Sequence, residues 1–456
     1  MIATINPVTG ETLRTFCPIS PGELEGKLDL AAAAFRNGLA STVAERGARL
    51  HQLADLFEAE QDRLARLMAL EMGKPLQEGL AEIGKCAEGC RYYADHAAAF
   101  LAEMPLPDAA GKGRAHVRFD PLGAVLAIMP WNFPFWQVIR FAAPALMAGN
   151  VGLLKHANNV PQCAIALEEL FLRAGFPEGA FQNLLIETET VAQVIDDPRV
   201  AAVTLTGSLA AGSEVAARAG KAIKRTVLEL GGSDPFVVLP SADLVATAQK
   251  AVKARTLNGG QSCIAAKRFI VHAAVYDEFE YRMVEGFKRL RVGDPLLPET
   301  EIGPLAHGRA FATLERQVRE AVSAGGKVLI GGKQKGMIGF FYEPTVIAGL
   351  SSGAPVAQEE FFGPVALLFK ARDLDEAIAL ANRTPFGLGA SVWTRDQLEQ
   401  RRCIAEIEAG QVFVNEIVAS QPALPFGGIK RSGYGRELGV FGIHEFVNAK
   451  TVWIAE

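Results

Sequence analysis

The chain has 456 residues, of which 49% are hydrophobic and 21% charged, and its formal net charge at pH 7 is −5. This length exceeds what one hydrophobic core normally organises, so we expect at least two domains. The composition is that of an ordinary globular protein, and the lack of a dense Lys/Arg block argues against a nucleic-acid-binding surface.

The sequence predicts neither a secretion signal nor a membrane span. The N-terminus lacks a basic start followed by an apolar stretch. The most apolar region, residues 122–154, is interrupted by three prolines and an arginine, which makes it a poor span. The six cysteines form neither a disulfide framework nor a metal-binding cluster. We therefore expect a cytoplasmic protein without a metal site.

Helices are predicted first along the chain, followed by alternating strands and helices. Between Pro21 and Leu101 apolar residues recur at helical spacing, and between Ala115 and Phe119 they alternate as in a strand. A first α/β stretch has predicted strands at 125–128, 151–154, 181–186 and 202–205, with helices at 161–174 and 189–196. A second has predicted strands at 236–239, 268–271, 327–330, 365–369, 391–393 and 411–415. This alternation predicts two buried parallel sheets, whose ligands bind beyond the carboxyl ends of the strands.

Three motifs carry groups suited to covalent catalysis. Residues 259–263 place the Cys263 thiol after a glycine-rich turn, whose N–H groups favour thiolate and can receive an oxyanion. Burial of Glu229, which lies between two leucines, would raise its pKa and suit it to act as a general base. Asn132, in a proline-aromatic turn, has an amide that can be aimed at an oxygen. Alone, each residue also fits a structural role, as a buried apolar cysteine, a surface glutamate or a loop asparagine.

Three further motifs suit a nucleotide. Gly207 and Ser208, followed by Gly212, are typical of a helix N-terminus that accepts phosphate, although the G-x-G-x-x-G fingerprint is absent. Glu360 beside two phenylalanines can hold a ribose, and the basic, glycine-rich residues 425–435 can accept a phosphate. A helix cap, a solvated turn and a flexible loop are the structural alternatives.

Taken in order, these motifs resemble the aldehyde dehydrogenase family over nearly the whole chain. The order is Pro-Trp-Asn, a lysine at a strand end, Thr-Gly-Ser, Glu-Leu-Gly-Gly, Gly-Gln-Ser-Cys, Glu-x-Phe-Gly-Pro and Pro-Phe-Gly-Gly. The resemblance implies an aldehyde dehydrogenase-like α/β fold. Its expected parts are a Rossmann-type NAD(P)-binding domain (1–102 and 122–231), an α/β catalytic domain (232–432) and a small β oligomerisation arm (103–121 and 433–456). Open edges of such an arm imply a homodimer or homotetramer.

The resemblance also assigns roles to individual residues. It implies that Cys263 is the nucleophile, that Asn132 and the Cys263 N–H form an oxyanion hole, and that Glu229 activates water. The cofactor contacts that it implies are Trp131, Lys155, Asn158, Gly207, Ser208, Gly212, Glu360 and Phe362. An aldehyde would then be oxidised through a thiohemiacetal and a thioester on the cysteine.

Local sequence runs are most similar to enzymes of this family that oxidise succinate semialdehyde. Arg140 falls where such enzymes carry an arginine for the distal carboxylate of the substrate, which it would bind by charge-assisted hydrogen bonds. Ser420 and Arg268 are further candidates for that carboxylate. A salt bridge is the structural alternative for Arg140, and glutarate semialdehyde is the alternative substrate.

The cofactor preference is predicted from a departure from the family pattern. Asn158 stands where many relatives have a glutamate that repels a 2′-phosphate. Because Asn158 is neutral and Lys155 can pair with that phosphate, we expect NADP or NAD, with NADP favoured. A cysteine esterase without a cofactor would not need these residues. An inactive family member would have lost Cys263 or Glu229, and both are present.

Overall fold

The computed structural model describes residues 2–107, 113–336 and 338–455, so residues 108–112 of the predicted arm lie outside the described part. The helices are α1 Pro21–Gly38, α2 Val43–Ala59, α3 Gln61–Met72, α4 Leu76–Phe100, α5 Trp136–Met147, α6 Pro161–Arg173, α7 Val191–Asp196, α8 Leu209–Lys221, α9 Leu244–Thr256, α10 Tyr276–Lys288, α11 Gly308–Ser323, α12 Leu374–Asn382, α13 Gln397–Glu406 and α14 Gly439–His444. The strands are β1 Ile2–Ile5, β2 Thr12–Phe16, β3 Met104–Pro105, β4 Gly113–Pro121, β5 Ala124–Met129, β6 Val151–His156, β7 Phe181–Asn183, β8 Val200–Thr206, β9 Arg225–Glu229, β10 Pro235–Val238, β11 Arg268–His272, β12 Lys327–Ile330, β13 Thr345–Ala348, β14 Val365–Ala371, β15 Phe386–Gly387, β16 Gly389–Trp393, β17 Gln411–Val414, β18 Ile429–Lys430, β19 Gly433–Tyr434 and β20 Val447–Ala455.

The first large sheet has the strand order β19-β9-β8-β5-β6-β7. Its strands run parallel except for the short β19, which pairs antiparallel with β9. Side chains of β5 alternate between two cores: Val125 and Ala127 pack with helices α2 to α6, and Leu126 packs with α1, α7 and α8. Both faces of this sheet are therefore covered, which explains why its strands read as continuous apolar runs.

The second large sheet has the order β12-β13-β14-β11-β10-β16-β17, and β12 is its antiparallel strand. Val237 of β10 faces a core with α11, α12 and α13, while Phe236 and Val238 face a core with α9 and α10. The two buried parallel sheets confirm the predicted α/β fold. In the described ranges, no helix is both long and apolar enough to span a membrane.

Most predicted strands occur with ends shifted by at most two residues, but one differs. The strand predicted at 181–186 ends at Asn183, because β7 is an edge strand that pairs with β6 over three residues only. Among the strands of the two large sheets, β9, β13 and β19 were not predicted. The sequence of β9, Arg-Thr-Val-Leu-Glu, is polar at both ends although its centre is buried, so its apolar run is too short to stand out.

A third, antiparallel sheet has the order β20-β4-β3. Strand β20 pairs with β4 along its whole length, from Val447 opposite Pro121 to Ala455 opposite Gly113. Its outer edge is open, and Trp453 is 56% exposed. The chain end is shared between sheets, since β19 lies in the first large sheet and β20 in this one. The domain limits stay a prediction.

Asn150 joins the start of β5 to the chain end. Its Oδ1 accepts hydrogen bonds from the N–H groups of Leu122 (2.8 Å) and Gly123 (3.0 Å), and its Nδ2 donates to the Phe446 carbonyl (2.9 Å). The side chain is buried, so loss of any of these bonds would leave a polar backbone group without a partner.

We predict that Asn150→Ala lowers the free energy of unfolding by roughly 2 kcal/mol or more, because it leaves two buried N–H groups and one buried carbonyl without hydrogen-bond partners. Denaturant unfolding followed by circular dichroism measures this. The exposed Asn448 offers a matched control, whose replacement by alanine should change the stability by less than about 0.5 kcal/mol. Equal effects of the two substitutions would contradict the role of Asn150.

Candidate active site

A cavity of about 310 Å³ lies at the carboxyl ends of β5, β8 and β9. Residues that follow these strands form one side, and Cys263, the start of α11 and residues 360–362 form the other. Seven of the predicted site residues line it, namely Trp131, Asn132, Gly207, Ser208, Cys263, Glu360 and Phe362. These seven residues come from four motifs that lie far apart in the sequence.

Aromatic rings form part of the cavity wall. The Trp131 ring meets His307 edge-on, with centroids 5.3 Å apart, and Phe362 at 5.7 Å. His307 also caps α11, since its Nδ1 accepts the N–H of Ala310 at 3.0 Å. Arg309 and Gln317 line the same wall and, like His307, were not predicted. A capping histidine and polar residues of an amphipathic helix have no distinguishing local pattern.

Residues 258–263, which we call the nucleophile loop, have an uncommon backbone. Asn258, Gly259 and Gly260 adopt φ values of 56°, 60° and 75°, in the left-handed region that favours glycine. A Cβ on Gly260 would clash with the carbonyl of Gly363. The Gly-Gly pair is thus required by this turn, which leads directly into Cys263.

Two buried cations bind the nucleophile loop from behind, and neither was predicted. Arg255 donates to the carbonyls of Gly260 (2.5 Å) and Ala266 (3.0 Å). Lys267 donates to the carbonyls of Ser262 (2.8 Å) and Cys263 (2.5 Å). These four partners are backbone carbonyls, so no motif in the sequence signals the contacts.

Asn132 lies against the same loop. Its Nδ2 donates to the Gln261 carbonyl at 3.0 Å, and its own carbonyl accepts Asn258 Nδ2 at 2.7 Å. An amide group carries two N–H donors, so one stays available to an oxygen in the cavity. The Asn132 side chain is thereby fixed beside Cys263 and oriented by its backbone contacts.

The Cys263 thiol is protonated at neutral pH in this conformation. Burial raises its pKa to about 12, while the charges of Arg140 and Lys267 act in the opposite direction. The expectation that N–H groups around the thiol favour thiolate is therefore outweighed here by desolvation. A base must remove the proton before the sulfur can attack.

Glu229 ends β9 and has a deeply buried carboxylate. Neither of its carboxylate oxygens has a hydrogen-bond partner among the described residues. Burial, reinforced by the negative charge of Glu437, raises the pKa of Glu229 well above its usual range, and Arg140 opposes this. The residue does not itself line the cavity, whereas the next two residues, Leu230 and Gly231, do.

Arg140, on α5, is buried and forms an ion pair with Glu437, with Nη2 and Oε2 2.6 Å apart. Its guanidinium also lies over the ring of Phe426, 4.4 Å from the centroid. The ion pair is the structural alternative considered for this residue. This ion pair uses one nitrogen, Nη2, of a guanidinium group that has five N–H donors in all.

Ser420 lies outside α5 but contacts the face of that helix on which Arg140 lies. The indole Nε1 of Trp136 donates to Ser420 Oγ at 2.8 Å, and Trp136 precedes Arg140 by one helical turn. Arg268, the third candidate for the substrate carboxylate, is the first residue of β11 in the second large sheet. Its guanidinium donates to the carbonyls of Ser233 (2.8 Å), Leu380 (2.7 Å) and Ala381 (2.8 Å), which commits it to the structure.

Three predicted cofactor contacts, Lys155, Asn158 and Gly212, do not line the cavity. Lys155 Nζ donates to Asn158 Oδ1 at 2.8 Å, and Asn158 Nδ2 donates to Glu187 at 3.0 Å. Burial lowers the pKa of Lys155 to about 8. At Gly212 a Cβ would collide with Leu230, so the glycine lets α8 approach the end of β9.

Comparisons with known proteins agree with the resemblance. A family model described as the aldehyde dehydrogenase family matches residues 1–452. Succinate-semialdehyde dehydrogenase [NADP(+)] 1 of Mycobacterium tuberculosis is 55% identical over 456 residues, which is 100% of both chains. Its counterpart in Mycobacterium leprae is 55% identical over 455 residues, again 100% of both. A solved succinic semialdehyde dehydrogenase from Streptococcus pyogenes, in complex with NADP+, is 39% identical, with a TM-score of 0.97 and 100% coverage of both chains.

We predict that alkylation of Cys263 by iodoacetamide accelerates about tenfold per pH unit from about pH 6 to about pH 9, because the reactive thiolate fraction grows in this way below the pKa. A Cys17→Ser variant removes the exposed cysteine, and the other four are buried. Mass spectrometry measures the labelling, with N-acetylcysteine, whose pKa is near about 8.5, as reference. A plateau for Cys263 near neutral pH would contradict the raised pKa.

Proposed function

The chain belongs to the aldehyde dehydrogenase family, and on that premise we propose that it oxidises succinate semialdehyde to succinate with NADP. The observation that carries the proposal is the cavity that joins the Cys263 thiol and the Asn132 amide to residues suited to a dinucleotide. The names of the relatives support the substrate and the cofactor. Glutarate semialdehyde is the alternative substrate to be tested beside it.

The residues present fit a dinucleotide. Ser208 caps the N-terminus of α8, accepting the Ala211 N–H at 3.3 Å, and Gly207 before it lines the cavity without a side chain. A helix N-terminus of this kind suits the pyrophosphate, and Glu360 and Phe362 suit the nicotinamide ribose. When bound, NADP supplies the acceptor for the hydride that leaves the aldehyde carbon.

The second phosphate of NADP is supported by the surroundings of Lys155. We assign the 2′-phosphate to Lys155, with Asn158 beside it as a neutral donor. Asn158 links Lys155 to Glu187, because its Oδ1 accepts from Lys155 Nζ and its Nδ2 donates to the Glu187 carboxylate. NAD lacks this phosphate and so would not gain the pairing with Lys155.

The proposed chemistry begins with proton transfer from the Cys263 thiol to the ionised carboxylate of Glu229, which passes that proton on to solvent and is ionised again before the thioester is hydrolysed. The sulfur then adds to the aldehyde carbon, and the resulting alkoxide accepts hydrogen bonds from the Asn132 amide and the Cys263 N–H. Loss of hydride from this thiohemiacetal leaves a thioester on Cys263. Glu229 next takes a proton from water, and the hydroxide expels the thiolate and releases the acid.

Arg140 and Ser420 are assigned to the distal carboxylate of the substrate. Arg140 retains free N–H donors beside its pairing with Glu437, and the Ser420 hydroxyl, which accepts from Trp136, keeps its own hydrogen to donate. A carboxylate held by both would receive charge-assisted hydrogen bonds in a buried setting. Arg268 is left out of this site because its donors are committed to backbone carbonyls.

We further propose that the chain is a cytoplasmic homodimer or homotetramer. The open edge of β20, with Trp453 and Ile454 exposed, supports pairing with a second copy, since unpaired strand edges normally find a partner. The six cysteines, all within the described residues, are unpaired, which suits a reducing compartment.

We predict that the purified protein reduces NADP when succinate semialdehyde is added and that Cys263→Ser abolishes this, because a serine hydroxyl is a far weaker nucleophile than a thiolate. Absorbance of the reduced cofactor measures the rate. Glutarate semialdehyde, butanal and NAD complete the panel. A faster reaction with glutarate semialdehyde than with succinate semialdehyde would make glutarate semialdehyde the assigned substrate. Ester hydrolysis without any cofactor-dependent oxidation would overturn the proposed function.

We predict that Arg140→Ala raises KM for succinate semialdehyde on the order of 10- to 100-fold more than KM for butanal, because only the acid loses a charge-assisted hydrogen bond worth about 1.5–3 kcal/mol. Steady-state kinetics with both aldehydes measure the ratio. The exposed Arg173, replaced by alanine, is the matched control. Equal changes in KM for the two aldehydes would refute the carboxylate contact, whatever the effect of unpairing Glu437 on turnover.

A further inference from the structure

Lys267 lies directly behind the nucleophile loop and has no part in the chemistry described above. Its side chain is fully buried, and burial lowers its pKa. A buried ammonium is costly unless its three donors are used. In this site two donors have hydrogen-bond acceptors and the ammonium also forms one ion pair, all with residues around the cavity.

Two acceptors are the carbonyl oxygens of Ser262 and Cys263, 2.8 and 2.5 Å from Lys267 Nζ. The ammonium also forms an ion pair with Oε1 of Glu360, at 3.3 Å, and that oxygen accepts the Gly232 N–H at 3.1 Å. Glu360 thus gives the ammonium a third contact, outside the nucleophile loop. The position of Nζ is fixed from three directions.

The contact with the Ser262 carbonyl determines where the Cys263 N–H points. These two groups belong to one peptide unit, which is planar and trans, so they point in opposite directions. Because the carbonyl is turned inward to Lys267, the N–H is turned away from it. That N–H donates no hydrogen bond to any of the described residues and is free for an incoming oxygen.

We propose that Lys267 is a positioning residue, which orients the Cys263 N–H as a donor to the oxyanion by holding the Ser262 carbonyl. The inference rests on the proposed function, in which this N–H and Asn132 stabilise the alkoxide. Lys267 contacts neither substrate nor the reacting atoms, and acts through the peptide that it binds. Its charge also lies close to the thiol, so removing it should change the reactivity of Cys263 before any substrate is present.

The test compares Lys267→Met with Lys370→Met, a control at an exposed lysine far from the cavity. We expect Lys267→Met to lower kcat for succinate semialdehyde on the order of 10- to 100-fold, as expected when an oxyanion donor is misplaced, and to change KM by less than about threefold. We also expect the pH dependence of Cys263 alkylation, measured without cofactor or substrate, to shift to higher pH. The control should leave both measurements unchanged.

A second variant, Lys267→Arg, keeps the charge but replaces a compact ammonium with a planar fork. We expect it to restore the alkylation profile of the wild type while kcat stays low, since the Ser262 carbonyl is no longer held at the same point. A wild-type kcat in either variant would overturn the proposal. So would a kcat loss in Lys267→Met that matches the unfolded fraction by circular dichroism, with an unchanged alkylation profile.

These outcomes separate the inference from the proposed function. If the wild-type protein failed to oxidise any aldehyde of the panel, the proposed function would be lost. The alkylation profiles need neither aldehyde nor NADP, so an unshifted profile in Lys267→Met would still count against Lys267. Oxidation by the wild type together with unimpaired turnover in Lys267→Met would refute the positioning role alone.

Discussion

The active site depends on hydrogen bonds between two buried cations and the carbonyl oxygens of one loop. Arg255 and Lys267 together bind four carbonyls within residues 260–266. The left-handed turn at Gly259 and Gly260 brings these carbonyls together on the inner side, and the cations compensate their dipoles there. Without such partners, the buried carbonyl groups of this loop would have no hydrogen bonds, and the loss would destabilise the folded protein.

The same burial disfavours the charged forms of the two reactive groups, the thiol of Cys263 and the carboxyl of Glu229. Desolvation raises the pKa of both Cys263 and Glu229, and Arg140 partly offsets it for each. Burial therefore opposes ionisation of both the nucleophile and the base. Glu437 couples the two effects, because it pairs with Arg140 and repels charge on Glu229. A substrate carboxylate bound to Arg140 would add a negative charge beside the same arginine that offsets the pKa shifts of Cys263 and Glu229.

The sequence was sufficient for features that have a local pattern. Apolar runs predicted most strands, and glycine-containing motifs predicted the turn before Cys263 and the start of α8. It was insufficient where a residue acts through distant backbone atoms. Lys267 and Arg255 bind carbonyls of a folded loop, and His307 is an unremarked helix cap. Arg268 was considered for the substrate because arginine suits a carboxylate, but three carbonyls of the folded chain already use its donors.

The antiparallel partner of β9 comes from the end of the chain. β19 covers the outer edge of the first sheet, Glu437 pairs with Arg140, and β20 lies along β4, which leads into β5. During synthesis the first sheet therefore keeps one edge unpaired, and Arg140 lacks its ion-pair partner, until residues 433–455 have been made. A sheet whose parallel strands are synthesised early is thus completed late, and its open edge is exposed to wrong pairing during that interval.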